Sequence, residues 1–78
     1  MFVQEKLLHH SPHSALSPRQ LEVLRGIWNG LDSKMIAEQL GITQKGLEYH
    51  KGNIFRKWEC DNVMQVIRLA LRRGILEV

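Results

Sequence analysis

Residues 33–58 read SKMIAEQLGITQKGLEYHKGNIFRKW, and Gly41, Ile42 and Thr43 decide how that stretch folds. Glycine takes the left-handed conformation that ends a helix, Ile42 can plug a core, and Thr43 can cap a following helix. Upstream, Ser33 is the expected cap of a short helix through Leu40 that buries Ile36, Ala37 and Leu40. Downstream, the spacing predicts a helix from Gln44 to about Trp58. On it Leu47, Ile54 and Trp58 lie within about 40° of one another, flanked by His50, Lys51 and Phe55. Lys45, Glu48, Tyr49, Gly52 and Arg56 occupy the opposite side. Two helices joined by a short turn, the second with a clear outer face, form a helix-turn-helix pattern.

Working outward, Ser17-Pro18-Arg19-Gln20 opens an earlier helix: serine as cap, proline at the first helical position, and glutamine closing a capping box. Leu16 and Leu21 are placed to staple it. Leu21, Leu24, Ile27, Trp28 and Leu31 share a sector of about 120°, and Gly30 marks the end. A last helix starts near Asn62, with Gln65 set for a second capping box, and ends at Gly74. Its apolar residues Val63, Met64, Val66, Ile67, Ala70 and Leu71 span about 160°, too wide for one neighbour. Val63, Val66, Ile67 and Ala70 are therefore expected at a dimer contact. No strand-like alternation follows Leu16, so the fold class is all-α with four helices.

At 78 residues the chain holds one small core. Residues 1–15 carry no sustained periodicity and read as a flexible arm or linker, leaving 16–78 as the domain. The composition is globular, with 44% hydrophobic and 24% charged residues and no apolar run near the length of a membrane span. The start MFVQEKLL has none of the features of a secretory signal, so a soluble, cytoplasmic protein without a membrane partner is expected. One cysteine, Cys60, excludes an internal disulfide and a cysteine-based zinc knuckle, and oligomerisation is expected to help so small a core.

The formal charge of +3 allows a polyanionic partner without establishing one. Placement is more telling: the third helix carries Lys45, Lys51, Arg56 and Lys57 against one acid, Glu48. A basic helix that projects from a helix-turn-helix fits the major groove of double-stranded DNA. Lys34, Thr43, Lys45, Lys51, Arg56 and Lys57 are candidate phosphate contacts, and Glu48, Tyr49 and Gly52 face the bases. His9, His10 and His13 make a poor metal site on an arm without a carboxylate or cysteine partner. Cys60 reads as a small apolar filler and His50 as a structural histidine beside the core. No nucleophile, base and orienter converge, so neither catalysis, a cofactor, a metal nor a small-molecule ligand is expected.

The stretch LSPRQLEVLRGIWNGLDSKMIAEQLGITQKGLEYHKGNIFRKW, followed by QVIRLALRRG, resembles the LuxR type of helix-turn-helix domain, the output module of quorum-sensing regulators and NarL-type response regulators. The resemblance runs from Leu16 to Leu76. It is carried by Leu16 through Arg19, Glu22-Val23-Leu24, Gly30, Lys34, Ile36-Ala37, Leu40-Gly41-Ile42, His50, Asn53-Ile54 and Lys57. It implies four helices, a third that enters the major groove, a fourth at the dimer contact, and promoter binding by a transcriptional regulator. Departures fall on the reading helix: Gly46 where the family usually shows threonine, Glu48 where it often shows lysine, and Gly52 at another base-facing position. Two rivals stay open at this point, a sigma-factor promoter-recognition domain and a helix-turn-helix fold that binds protein.

Overall fold

The computed structural model describes residues 15–78; the expected arm, with His9, His10 and His13, lies outside the described residues except for Ala15. Four helices follow one another, α1 (Pro18–Trp28), α2 (Ser33–Leu40), α3 (Gln44–Trp58) and α4 (Val63–Arg72), with no strand among the described residues. Each begins where a side chain meets the otherwise unpaired N–H groups of a first turn. In α1, Ser17 Oγ accepts from Gln20 N at 3.1 Å while Gln20 Oε1 accepts from Ser17 N at 2.8 Å, the expected capping box. Thr43 Oγ1 accepts from Gly46 N at 2.9 Å and starts α3 at the expected residue.

One cap and one capping box differ from expectation by one position. Asp32, not Ser33, caps α2: its Oδ1 accepts from Met35 N at 2.9 Å, and Ser33 is the first helical residue. Both residue types cap well, and the extended backbone of Asp32 selects it. Asn62 caps α4 by accepting from Gln65 N at 3.0 Å, but Gln65 Oε1 accepts from Asp61 N, so the second capping box reaches one residue further back. Gly41, at φ 67°, ends α2. Its neighbour Ile42 donates to Ala37 O at 3.0 Å, which returns the chain sharply into α3.

The helix α3 touches all three others, and its inner residues Leu47, Ile54 and Trp58 are buried. Val23 and Leu24 of α1, Ile36 and Ala37 of α2, and Val66 and Ala70 of α4 complete the core with Leu16, Cys60 and Leu76. The buried side of α1 is rotated from the expected sector toward Gln20, Val23 and Gly26, with Leu21, Ile27, Trp28 and Leu31 at its margins. The reason is that α1 packs on both α2 and α3 and cannot centre its stripe on either one. A larger correction concerns α4. Val66 and Ala70, expected at a dimer contact, are 2% and 0% exposed within the protomer's own core. What remains outside is Met64, 59% exposed, and the part-buried Val63, Ile67 and Leu71.

Gly26 of α1 packs tightly against Ile36 of α2. A Cβ there would stand 2.9 Å from Ile36 Cγ1 and 3.2 Å from Cδ1. Overpacking of this kind costs about 1–3 kcal/mol, against about 1 kcal/mol gained in helix propensity. Gly26→Ala is therefore expected to lower the melting temperature of the parent but to be neutral or stabilising in an Ile36→Ala background. Thermal melts of the four proteins check this, and equal effects in both backgrounds would contradict the contact.

Candidate nucleic-acid interface

Burial of Leu47, Ile54 and Trp58 leaves the other side of α3 in solvent, and its stripe can be read by spacing alone. Lys45, Tyr49, Gly52 and Arg56 follow at intervals of four, three and four and lie within about 60° of each other, opposite the core. Tyr49 is 65% exposed, its ring edge-on to His50 with centroids 5.8 Å apart. Thr43 caps the start of the segment and Glu59, at φ 55°, ends it, while Gly41 sets the angle at which α2 delivers it.

The basic residues do not behave alike. Lys45, Arg56 and Lys34 are exposed, Lys34 in the first turn of α2. Lys51 Nζ lies 3.5 Å from Glu48 Oε2, with the Lys51 side chain 21% and the Glu48 side chain 61% exposed. An exposed pair of this kind is worth little in stability, but it turns Lys51 toward the acid. Lys57 faces inward. Its Nζ donates to Gln20 Oε1 and to the carbonyl of Ala15, both at 3.1 Å, joining the last turn of α3 to the capping box of α1. Sequence spacing had no means of showing this, because it depends on where α1 packs.

Two structural contacts escaped the sequence reading. Arg19 Nη1 donates to Leu40 O at 3.2 Å, meeting a carbonyl at the end of α2. Asn53, noticed only as part of the family resemblance, accepts through Oδ1 from Arg56 Nη2; the i, i+3 spacing was the available signal. Thr43 Oγ1 uses one of its two lone pairs to accept from Gly46 N and keeps its hydroxyl proton to donate. Gly46 gains an account here, since a Cβ would press to 3.3 Å from that capping oxygen.

Away from α3, Cys60 is buried, with Sγ 3.5 Å from Trp58 O. Burial pushes its thiol pKa up, with Arg73 pulling partly back, so the group is a poor thiolate. Arg73 itself lies over the Trp58 ring, 4.8 Å from its centroid. Among the described residues no group of three or more histidine, cysteine or acidic side chains is placed to hold a metal. No helix there is long and apolar enough to cross a membrane.

The arrangement of α2, turn and exposed α3 is shared with characterised proteins. Residues 14–70 match the luxR family of bacterial regulatory proteins. The chain is 33% identical over 63 residues to the transcriptional regulatory protein FixJ of Bradyrhizobium diazoefficiens, covering 81% of this chain and 31% of that protein. It is 38% identical over 68 residues to the fimbriae Z protein of Salmonella typhimurium, covering 87% and 31%. Against the oxygen regulatory protein NreC of Staphylococcus carnosus it is 34% identical over 68 residues, again 87% and 31%. The crystal structure of full-length FixJ from B. japonicum superimposes with a TM-score of 0.70 at 34% identity, over 80% of this chain and 30% of that one. The chain thus spans about a third of the length of these relatives. By the reach of the family match and by the identity to these regulators, the chain belongs to the luxR family of bacterial regulatory proteins, and its four helices form a helix-turn-helix domain of that family.

Proposed function

We propose that residues 16–78 are the DNA-binding domain of a cytoplasmic transcription regulator, working as a dimer without catalysis, and that residues 1–15 are an arm or linker. The observation that carries this is the outer stripe of α3: basic at Lys45 and Arg56, aromatic at Tyr49, opposite a fully buried inner face. A helix anchored on one side and polar on the other is what a major groove admits. The names of the relatives, a transcriptional regulatory protein among them, support the same reading. In it Lys34, Thr43 and Lys45 meet phosphates, with Lys51 contributing only as far as Glu48 releases it. Glu48 and Tyr49 meet base edges, the carboxylate accepting from a cytosine amino group and the ring packing on a thymine methyl.

The apolar strip of Met64, Ile67 and Leu71 on α4 is the surface we assign to the second copy, which would bring two α3 helices to two half-sites. A second reading, a module that binds protein, is favoured by the exposed carboxylate of Glu48 on the outer helix. Salt-dependent binding to duplex DNA separates the two.

Binding to selected duplexes should weaken steeply with salt, with a log-log slope of about −5 for a dimer making about six phosphate contacts. Lys45→Ala should make that slope shallower by about one unit per protomer. Lys57→Met should leave the slope alone and lower stability, by on the order of 1 kcal/mol, because its ammonium is already committed within the protomer. No binding at low salt to any duplex contradicts the DNA reading; a shallower slope with unchanged melting makes Lys57 a phosphate contact instead.

Met64→Glu adds a charge to the exposed strip and should leave circular dichroism and melting near the parent while abolishing cooperative loading of two copies on DNA. Sedimentation on a two-half-site duplex measures the loading. A folded Met64→Glu protein that still loads cooperatively would place the dimer contact elsewhere.

A further inference from the structure

Gly52 stands in the middle of the exposed stripe, and the space above it is filled. A Cβ built there would lie 3.5 Å from Nη1, 3.9 Å from Nη2 and 4.0 Å from Cζ of Arg56. The guanidinium rooted one turn further on has folded back toward the N-terminus of α3, the direction helical side chains favour. Any branch beyond Cβ at residue 52 would occupy its place. Nη2 donates to Asn53 Oδ1, which fixes the group from the side. Among the described residues the Arg56 guanidinium forms no ion pair, and its side-chain hydrogen bond goes to the neutral amide of Asn53, so no neighbouring carboxylate offsets its charge.

Such an arginine suits a different contact from the one its position in the last turn implies. Extended from that turn, it would sit at the C-terminal end of the helix, away from the N-terminal half that meets bases in helix-turn-helix complexes. Folded over Gly52, its charge moves about 6 Å along the axis into the middle of the reading face. One N–H is taken by Asn53, and the rest of the fork remains to donate. Paired donation to O6 and N7 of guanine is the commonest specific contact of this side chain in the major groove. Holding the rotamer in advance also spares part of the side-chain entropy that a loose arginine loses on binding.

We infer that Arg56, laid over Gly52 and held by Asn53, reads a guanine and so determines part of the sequence preference. Gly52 then acts by making room for a neighbour's guanidinium, and Asn53 is a positioning residue. The inference rests on the DNA-binding reading above, and the test keeps the two apart.

Binding selections from random duplex DNA, run with the 78-residue parent, Arg56→Lys, Gly52→Leu and Asn53→Ala, decide it. The parent should select guanine at one position of each half-site. Arg56→Lys keeps the charge and loses the fork, so preference at that position should fall by about 5- to 150-fold, the range of one good base contact, while the salt slope stays as in the parent. Gly52→Leu, which improves helix propensity and leaves Arg56 in the chain, should lose preference at the same position, and Asn53→Ala should lose a smaller part of it. Should the parent bind selected DNA while Arg56→Lys weakens all duplexes evenly with unchanged base preferences, Arg56 touches phosphate and the inference is wrong. Should Gly52→Leu retain the guanine preference of the parent, the room above residue 52 plays no part and the inference is equally overturned. A parent that binds no duplex at low salt defeats the DNA reading itself, and this inference with it.

Discussion

The inner face of α3 is the constraint on which the rest of the molecule depends. Leu47, Ile54 and Trp58 are buried in one cluster with residues of α1, α2 and α4, all three of which α3 touches. Truncating a buried leucine to alanine costs about 2–5 kcal/mol, a large share of the 5–15 kcal/mol that holds a whole domain together. With so few large residues in the core, α3 has little freedom to roll. Its outer stripe is therefore aimed by the burial of its inner one, and an arrangement that serves stability also presents a reading surface at a fixed angle.

Much of this was legible because it is local. The capping box of Ser17 and Gln20, the left-handed Gly41 and the Thr43 cap each rely on groups within four residues, and all three are found as read. What misled was whatever tertiary packing decides. Asp32 and Ser33 are both good caps, and nothing in their spacing ranks them. The wheel gives α4 an apolar sector but no origin for its angle, so it does not show that Val66 and Ala70 belong to the protomer's own core. Lys57 is a candidate phosphate contact by charge alone, and nothing in the spacing of α3 shows that the entry to α1 passes beside it.

The site was legible in outline and not in its electrostatics. Four basic residues against one acid on α3 is a statement about composition; the geometry divides them by task. Lys57 ties helices together, Lys51 leans on Glu48, and only Lys45 and Arg56 stand clear of both uses. Fewer free charges mean a smaller sequence-independent contribution to any polyanion affinity, since that contribution scales with the phosphates neutralised. More of the work of recognition then falls to the few side chains that can touch base edges.

Two glycines on the exposed half of α3 belong to the same economy. Each costs about 1 kcal/mol of helix propensity relative to alanine, which an isolated peptide of this length would bear poorly. Here the segment has no need to be a good helix on its own. Packing of Leu47, Ile54 and Trp58 and the Thr43 cap hold it, so positions 46 and 52 are released from the demand for helix formers. Gly46 gives its space to the capping hydroxyl and Gly52 gives its space to a guanidinium. Because the outer stripe contributes so little to the core, its residues can change the reading surface while the inner stripe keeps the fold, and in this chain both glycines spend that freedom on the placement of a neighbour.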